Sequence, residues 1–247
     1  MATLIRCIRS DCQKLRHTFM LWIHIFVPVI TSLLFLAYYS VSPWKPESKL
    51  SGFLEFIAIA FPLMIGLICG KEMEQEGRAG SFQTMLCGIK SRAAAYSSKL
   101  VLLIFMGTFS IALAVGIFAL GFQTAPSTLY LKAGGMLAAG NVFLYILHQF
   151  VSFQYGSGAS IGLGIAESLI CAIALTGLGD DKWYYIPCAW SARLCDYLMY
   201  TWVYPSSSAI GNAQIETGLL IAICASLAAF LASLLWFQNW EGRKTYE

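Results

Sequence analysis

Few side chains in this sequence are of the types that perform acid–base or nucleophilic chemistry, and they are spread along the chain. Glu72, Glu74 and Glu76 alternate within five residues, whereas His148 stands alone in a later apolar stretch. A membrane-embedded hydrolase needs carboxylates and histidines, or a serine and a base, gathered at one place. Because the glutamates are predicted near one membrane surface and His148 within a span, we expect no reactive set and no enzymatic activity.

Nucleotide and metal sites are not predicted either. The nearest match to the phosphate loop GxxxxGK[ST], from Gly66 to Lys71, has the wrong spacing and continues into Glu72. No CxxC pair occurs and the histidines are isolated, so neither a metal site nor a resident cofactor is expected. Cys188 and Cys195 would lie about 10 Å apart on a straight helix, too far for a disulfide unless the segment folds back.

The composition places these residues in a membrane protein. Hydrophobic residues make up 58% of the 247 residues, charged residues only 12%, and the mean hydropathy is +0.67, whereas about 25% of residues are charged in soluble domains. A soluble enzyme, a secreted disulfide scaffold and a nucleic-acid binder are therefore excluded. Six stretches are long enough to cross a hydrocarbon core of about 30 Å as helices, which predicts one all-α transmembrane domain over residues 1–247. The stretches are Phe19–Ser40, Gly52–Gly70, Leu100–Phe122, Tyr130–Val151, Ser160–Leu178 and Thr217–Phe237.

Positive charges predict the orientation of the spans. Eleven Lys and Arg residues lie in the N-terminal segment, the 71–99 loop and the C-terminal tail, against five in the other loops. Because Lys and Arg are retained on the cytoplasmic side, both termini are predicted to be cytoplasmic. Leu4, Ile8 and Leu15 share one helical face, so residues 1–18 are predicted to form an amphipathic helix in the membrane interface. The alternative is a frayed basic tail that only sets the topology.

The 71–99 loop has an order unusual for a simple connector. After the three glutamates come glycines, and then four apolar residues recur at positions i, i+3, i+4 and i+7, which predicts a two-turn amphipathic helix. These four residues are Phe82, Met85, Leu86 and Ile89. A helix this short needs a surface to fold against, which is either the lipid headgroup layer or a groove on a soluble protein.

The six spans, the amphipathic N-terminus and this loop resemble the membrane subunits of ABC-2-type transporters. The matching residues are Lys71-Glu72-Met73-Glu74-Gln75-Glu76-Gly77, Ser81-Phe82-Gln83-Thr84-Met85-Leu86, Arg92 and Lys99. The resemblance implies that the loop carries a coupling helix, that Phe82, Met85, Leu86 and Ile89 contact an ATP-hydrolysing subunit, and that Glu72 and Glu74 anchor the loop. ATP and Mg would then be bound by that separate ATPase dimer.

Within this family, the compact loops and the opening MATLIRCIRSDCQKLRHT resemble the MutG-like permease subunits of lantibiotic self-immunity transporters. That resemblance implies a heteromeric complex with a second membrane subunit, in the cell membrane of a Gram-positive bacterium. The complex would expel an amphipathic antimicrobial peptide from the bilayer. The alternatives are an ABC-2 exporter of another amphipathic substrate, such as a drug, lipid or polymer, and a passive immunity protein that binds peptide without transport.

The loop between the fifth and sixth spans, residues 179–216, is rich in tryptophan and tyrosine. Such residues favour the membrane interface, and ABC-2 subunits are similar in having short re-entrant helices at this place, so we expect such helices here. The aromatic residues then serve as an anchoring belt only, or Trp190, Tyr197 and Trp202 form an outward surface for a leaving peptide. In the second case Asp196 would add negative charge for a cationic substrate.

The fifth span combines small residues with a carboxylate. Gly158, Gly162 and Gly164 allow close helix approach, and by resemblance they would contact the second membrane subunit, although packing within one subunit is equally compatible. Glu167 is costly within a membrane unless it is paired, protonated or hydrated. It therefore either faces a translocation path or bonds to a neighbour such as His148.

Overall fold

The computed structural model describes residues 2–16, 18–80, 82–87 and 91–242, and every regular element in these ranges is helical. The α-helices of these ranges are numbered α1 to α9 in chain order. They are α1 (Ala2–Leu15), α2 (Phe19–Val41), α3 (Pro46–Arg78), α4 (Gln83–Cys87), α5 (Arg92–Gly121), α6 (Ser127–Tyr155), α7 (Ser157–Ala174), α8 (Trp190–Val203) and α9 (Ser208–Gln238).

Six helices in the described part of the chain, α2, α3, α5, α6, α7 and α9, are long and apolar enough to cross a membrane. They overlap the six stretches predicted from the sequence, so an all-helical fold with six candidate membrane-spanning helices is confirmed. One end of the bundle carries α1 and α4 and is called the α4 end. The opposite end carries α8 and is called the α8 end.

Several span boundaries differ from the prediction, and helices α5 and α9 begin at Arg92 and Ser208 rather than at Leu100 and Thr217. Helix α3 continues to Arg78 rather than ending at Gly70, because backbone hydrogen bonds continue through charged residues outside an apolar stretch. Helix α7 ends at Ala174 rather than Leu178. A 3₁₀ turn follows at Gly177–Gly179, where the Thr176 hydroxyl accepts a hydrogen bond from the Leu178 amide N–H. The charged α4 end is therefore built from long helices rather than from loops.

Helix α3 lies at the centre of the bundle and packs against α6, α7 and α8. Its contact with α7 is close, since a Cβ added at Gly164 would lie 2.8 Å from the Pro62 carbonyl oxygen. Its contact with α5 includes the stacked rings of Phe53 and Phe118, whose centroids are 3.8 Å apart. Small residues on one side and aromatic rings on the other hold α3 between its neighbours.

Helix α2 packs mainly on α5. The Ser32 hydroxyl donates to the Ala114 carbonyl at 2.9 Å, and the Ser110 hydroxyl donates to the His24 carbonyl at 3.0 Å. Much of the remaining surface of α2 is exposed and apolar, including Phe26 and Leu34. Such a surface suits contact with lipid.

The connection from α7 to α9 contains 3₁₀ turns and the 14-residue helix α8. The first six residues of α8, from Trp190 to Cys195, are buried against the spans. Cys188 and Cys195 are both free thiols, so no disulfide closes this segment. The depth of α8 in a bilayer, and the interfacial position of α1, remain predictions.

Candidate functional site

A buried lysine at the α4 end holds carboxylates from two other helices. Lys99 of α5 is only 2% exposed, and its Nζ lies 2.7 Å from Glu72 Oε1, 2.8 Å from Glu76 Oε1 and 3.4 Å from Asp11 Oδ1. Glu72 and Glu76 are one helical turn apart on α3, so both carboxylates lie on the same side of that helix. Asp11 comes from α1. A single ammonium group therefore joins α1, α3 and α5.

Two further bonds complete this group, which is called the Lys99 cluster and consists of Asp11, Lys14, Glu72, Glu76 and Lys99. Lys14 Nζ lies 2.7 Å from Glu76 Oε1, and the Ser98 hydroxyl donates to Asp11 Oδ2 at 2.8 Å. The three carboxylates outnumber the two ammonium groups, so the fully ionised cluster carries one net negative charge. Removing one partner from a buried ion group leaves uncompensated charge, which is strongly destabilising.

Glu74 lies on the other side of α3 and does not join the cluster. Its carboxylate pairs with Lys71 at 3.0 Å and also with Arg78, and both cations are well exposed. Of the two glutamates expected to anchor the loop, Glu72 is thus buried within the bundle and Glu74 is at its surface. Whether either responds to an ATPase remains a prediction.

The short helix α4 packs on aromatic side chains of the spans. Phe82 is 6% exposed and Met85 is 3% exposed, and both belong to a cluster formed mainly by aromatic rings of α5, α6 and the end of α9. The ring of Phe82 meets that of Trp240 edge-on, with centroids 5.2 Å apart. The other members of this cluster are Met73, Ala95, Tyr96, Phe153 and Phe237.

The predicted amphipathic helix faces inward. It begins at Gln83 rather than Phe82, because Gly80 and Phe82 both adopt positive φ angles and turn the chain just before it, and it is described as far as Cys87. Phe82 and Met85 are covered by the chain itself rather than exposed for a partner, and Leu86 is only partly buried. Ile89 lies outside the described residues. A contact between this segment and a soluble subunit would therefore involve Leu86 and the exposed residues before α4.

The end of α9 is also tied to this region. The Arg92 guanidinium, in the first turn of α5, donates to the carbonyls of Gln238 at 3.0 Å and Trp240 at 3.3 Å. A cation at the C-terminal end of a helix is favourable because unpaired carbonyls collect there. Arg92 therefore fixes the end of α9, which carries two of the aromatic residues that pack against α4, to the start of α5.

Within the bundle, the expectation that His148 stands apart from other reactive types is wrong. His148 Nε2 lies 2.7 Å from Glu167 Oε2, and its Nδ1 lies 2.9 Å from the Ser160 hydroxyl. The Ser160 hydroxyl also bonds to the Gly66 carbonyl at 2.9 Å. A serine, a histidine and a carboxylate, the residue types of hydrolytic triads, are therefore hydrogen-bonded to one another. They come together because α6 and α7 cross at this point.

The packing around this group favours a structural role. Ser160 and His148 are both 0% exposed, and a Cβ added at Gly66 would meet the Ser160 carbonyl at 2.6 Å. A nucleophile needs space for the reacting carbonyl and donors for its oxyanion. The tight α3–α7 contact leaves no such space beside Ser160. Of the two alternatives for Glu167, the geometry favours bonding to a neighbour, and the group joins α3, α6 and α7.

At the α8 end, one arginine closes the C-terminus of α7. Arg193 is 5% exposed, and it donates to the Ala174 carbonyl at 2.7 Å and the Thr176 carbonyl at 2.8 Å. The same guanidinium pairs with Asp180 at 2.8 Å and with Asp196 at 3.4 Å. Burial raises the pKa of Asp196 above its usual range, and the nearby guanidinium opposes that shift.

The residues expected to line an outward surface are not all exposed. Trp190 is 2% exposed, because its ring packs edge-on against Phe143 and its indole N–H donates to the Tyr184 carbonyl at 3.0 Å. Tyr197 and Trp202 are half-buried. Trp190 is therefore part of the bundle interior, and of the four residues predicted for this surface only Tyr197, Trp202 and Asp196 are open to a molecule at this end.

The small residues of α7 fall into two groups. Gly164 contacts the backbone of α3, and so packs within the chain. A Cβ added at Gly158 or Gly162 would meet no atom within 4 Å, and both residues are exposed. Of the three predicted interface glycines, only Gly158 and Gly162 are thus free to contact a second membrane subunit.

Most of the Lys99 cluster was not assigned a role from the sequence. The sequence predicts no role for Asp11 or Lys14, and it presents Glu76 and Lys99 only as members of the glutamate pattern and the loop motif. The available signal was the placement of Lys99 directly before a long apolar stretch, with Glu72 and Glu76 one turn apart. Asp11 could not have been paired with Lys99 without knowing that α1 packs on α5.

Comparisons of the chain with protein-family models, curated proteins and solved structures found no match. The likeness to ABC-2 membrane subunits therefore depends on the order of the spans and on the loop residues between α3 and α5.

Proposed function

We propose that this chain is a membrane subunit of an ATP-driven ABC exporter that expels an amphipathic antimicrobial peptide and thereby protects its own cell. The observation that carries the proposal is the Lys99 cluster, which joins α1, α3 and α5 beside the α4 segment. Such a subunit must transmit movement from a soluble ATPase to its spans. In this chain, both helices that flank α4 are bonded to each other through Lys99.

The path of movement follows from the contacts. A push on the α4 segment reaches α5, α6 and α9 through Phe82 and Met85, which pack among their aromatic side chains. It reaches α3 directly through the chain at Arg78, and Lys99 bonds α3 to α5. Because tightly packed elements are not continuously deformable, a movement of the segment would be transmitted to these helices.

The surface offered to an ATPase would consist of residues just before α4 and on it. Phe82 and Met85 would hold the segment in place. The residues available for contact would be the exposed Arg78, Ala79, Gly80 and Gln83 and the half-buried Leu86. ATP and Mg would be bound by the ATPase dimer.

A second membrane subunit would pack against the open face of α7. Gly158 and Gly162 share that face with the exposed residues Ile165, Leu169 and Ile173. Small residues allow a partner helix to approach, and the larger apolar residues would then surround the contact. At the α8 end, Asp196, Tyr197 and Trp202 would meet the departing peptide.

Affinity purification of the full chain under conditions that keep complexes intact tests the proposal. We expect an ATPase with a phosphate loop to co-elute, together with a second membrane protein. Recovery of the chain with no ATPase, while the chain is folded and in the membrane, would count against the proposal. Peptide bound without any ATPase would instead favour a passive immunity protein.

The coupling surface has its own test in Leu86→Glu. We expect this variant to insert and fold normally, since Leu86 is partly exposed, but to lose peptide resistance because ATP hydrolysis is uncoupled from transport. Met85→Glu is the contrasting variant, since it buries a charge among aromatic rings and should reduce the amount of folded protein. Unchanged resistance in Leu86→Glu, with normal expression, would refute this coupling surface.

A further inference from the structure

An apolar crevice opens between α2, α3 and α5 at the depth of the membrane spans. It has a volume of about 450 Å³ and is lined by apolar residues, among them Val27, Ala60, Met64 and Ile111. This volume falls in the range of sites for small organic ligands, roughly 300–1,000 Å³. The crevice exists because α2 is bonded to α5 through Ser32 and Ser110, while α2 packs on α3 mainly through Phe35, nearer the α8 end.

The crevice continues toward the α4 end and becomes polar there. A second cavity of about 730 Å³ shares Phe19, Ile23 and Leu67 with the first, so the two adjoin along α3. The second cavity ends at Lys71, Glu74, Gln75 and Arg78. Its lining therefore changes from apolar to charged in the direction from the membrane interior to the α4 end.

The charged mouth has spare hydrogen-bond donors and a positive balance. Lys71 and Arg78 are 54% and 78% exposed at their side chains, and each bonds to the one carboxylate of Glu74. A lysine has three donors and an arginine five, so both cations keep donors for a further anion. Two cations and one carboxylate leave one net positive charge, which complements a phosphodiester at the membrane surface.

From this arrangement we infer that the α2–α3 crevice holds one anionic glycerophospholipid of the surrounding bilayer. An acyl chain lies in the apolar part, and the phosphate lies at Lys71 and Arg78. A glycerophospholipid has an apolar acyl chain and an anionic headgroup. The apolar cavity matches the chain, and the charged cavity matches the headgroup. The site does not depend on the proposed export function.

Lipid titration of the purified full chain tests this inference. The chain is delipidated in detergent and titrated with phosphatidylglycerol or with phosphatidylcholine of the same acyl chains, and bound lipid is counted by native mass spectrometry. We expect one tightly held phosphatidylglycerol per chain. Because phosphatidylcholine carries no net charge, it should bind more weakly.

Charge variants at the mouth should change the affinity in opposite directions. The double variant Lys71→Gln with Arg78→Gln should weaken phosphatidylglycerol binding about 25-fold, since each Lys or Arg near an anionic lipid contributes about fivefold. Glu74→Gln removes the competing carboxylate and should tighten binding several-fold. Lys132→Gln is the matched control, because Lys132 is an exposed lysine at the α8 end and should leave binding unchanged.

Filling the apolar part provides an independent test. Ala60→Phe places a ring in the crevice and should abolish the tightly held lipid, whereas Ala228→Phe on the exposed face of α9 should not. Equal retention of the two lipids, or unchanged affinity in both the double variant and Ala60→Phe, would overturn the inference. A lipid-free dimer whose formation is blocked by Ala60→Phe would also overturn the inference, because a second copy of the chain would then occupy the crevice. Displacement of the lipid by stoichiometric cationic peptide would assign the crevice to substrate instead.

Discussion

Both ends of the bundle contain one almost fully buried cation, but the two cations bind different kinds of partner. At the α4 end, Lys99 binds side-chain carboxylates that belong to α1 and α3. At the α8 end, Arg193 binds mainly the backbone carbonyls that terminate α7, and its two aspartates are partly exposed. The first cation joins separate helices, and the second finishes one helix and its following turn.

This difference indicates which end can change its arrangement. Backbone carbonyls at a helix terminus need a donor whatever the state of the protein, so the Arg193 contacts favour a fixed connection. A lysine shared by three carboxylates, with a second lysine nearby, can exchange partners while its charge stays compensated. The α4 end is therefore the end at which α1, α3 and α5 could shift relative to one another.

The largest expected effect comes from removing the cation of the α4 end. Lys99→Met leaves the carboxylates of Asp11 and Glu72 without their buried partner, and it should lower the free energy of unfolding by about 3–5 kcal/mol. Thermal unfolding in detergent, compared with Lys132→Met, measures this effect. A loss below 1 kcal/mol at neutral pH would show that the cluster is not the main connection at this end.

Removing the cation of the α8 end should have a smaller effect. Arg193→Met leaves the Ala174 and Thr176 carbonyls without their donor, and hydrogen bonds from charged groups contribute about 1.5–3 kcal/mol. The loss should be local, so hydrogen exchange is expected to increase in residues 174–196 and not in α1 or α3. Faster exchange throughout the bundle would contradict the view that Arg193 serves one helix end.

The smallest effect is expected from neutralising one aspartate at the α8 end. Folding raises the pKa of Asp196 through burial, so its favourable contribution is present below its unfolded pKa and is lost as pH rises through the folded pKa. Asp196→Asn should therefore stabilise the protein slightly at pH 7 and not at pH 3. Unfolding temperatures at the two pH values give the comparison. Destabilisation at pH 7 would mean that the bond to Arg193 outweighs the effect of burial.

The six spans could be predicted because an apolar run of sufficient length has few alternatives to a membrane helix. The ends of the spans were harder to predict. The charged residues after Gly70 resemble a loop in sequence, whereas the backbone continues as a helix to Arg78. The spacing of Phe82, Met85 and Leu86 did predict a short helix. It could not indicate that the apolar side faces the chain itself, since that depends on where Trp240 lies.

The contacts between distant residues show the same limit. Pairing of His148 with Glu167 could be named in advance because both are polar residues in neighbouring spans. Ser160 could not be added, since only the crossing angle of α6 and α7 decides which residues meet. Lys99 is a similar case, because its partner Asp11 lies on a helix whose packing the sequence does not specify.

The length of α3 has a mechanical consequence. A helix of 33 residues is about 50 Å long, whereas the hydrocarbon core of a bilayer is about 30 Å thick. A tilt of α3 by roughly 10° about its end near α8 would therefore displace its other end by about 9 Å. Because Glu72 and Glu76 lie near that displaced end, a small rotation of the helix would become a large displacement of the carboxylates that bind Lys99.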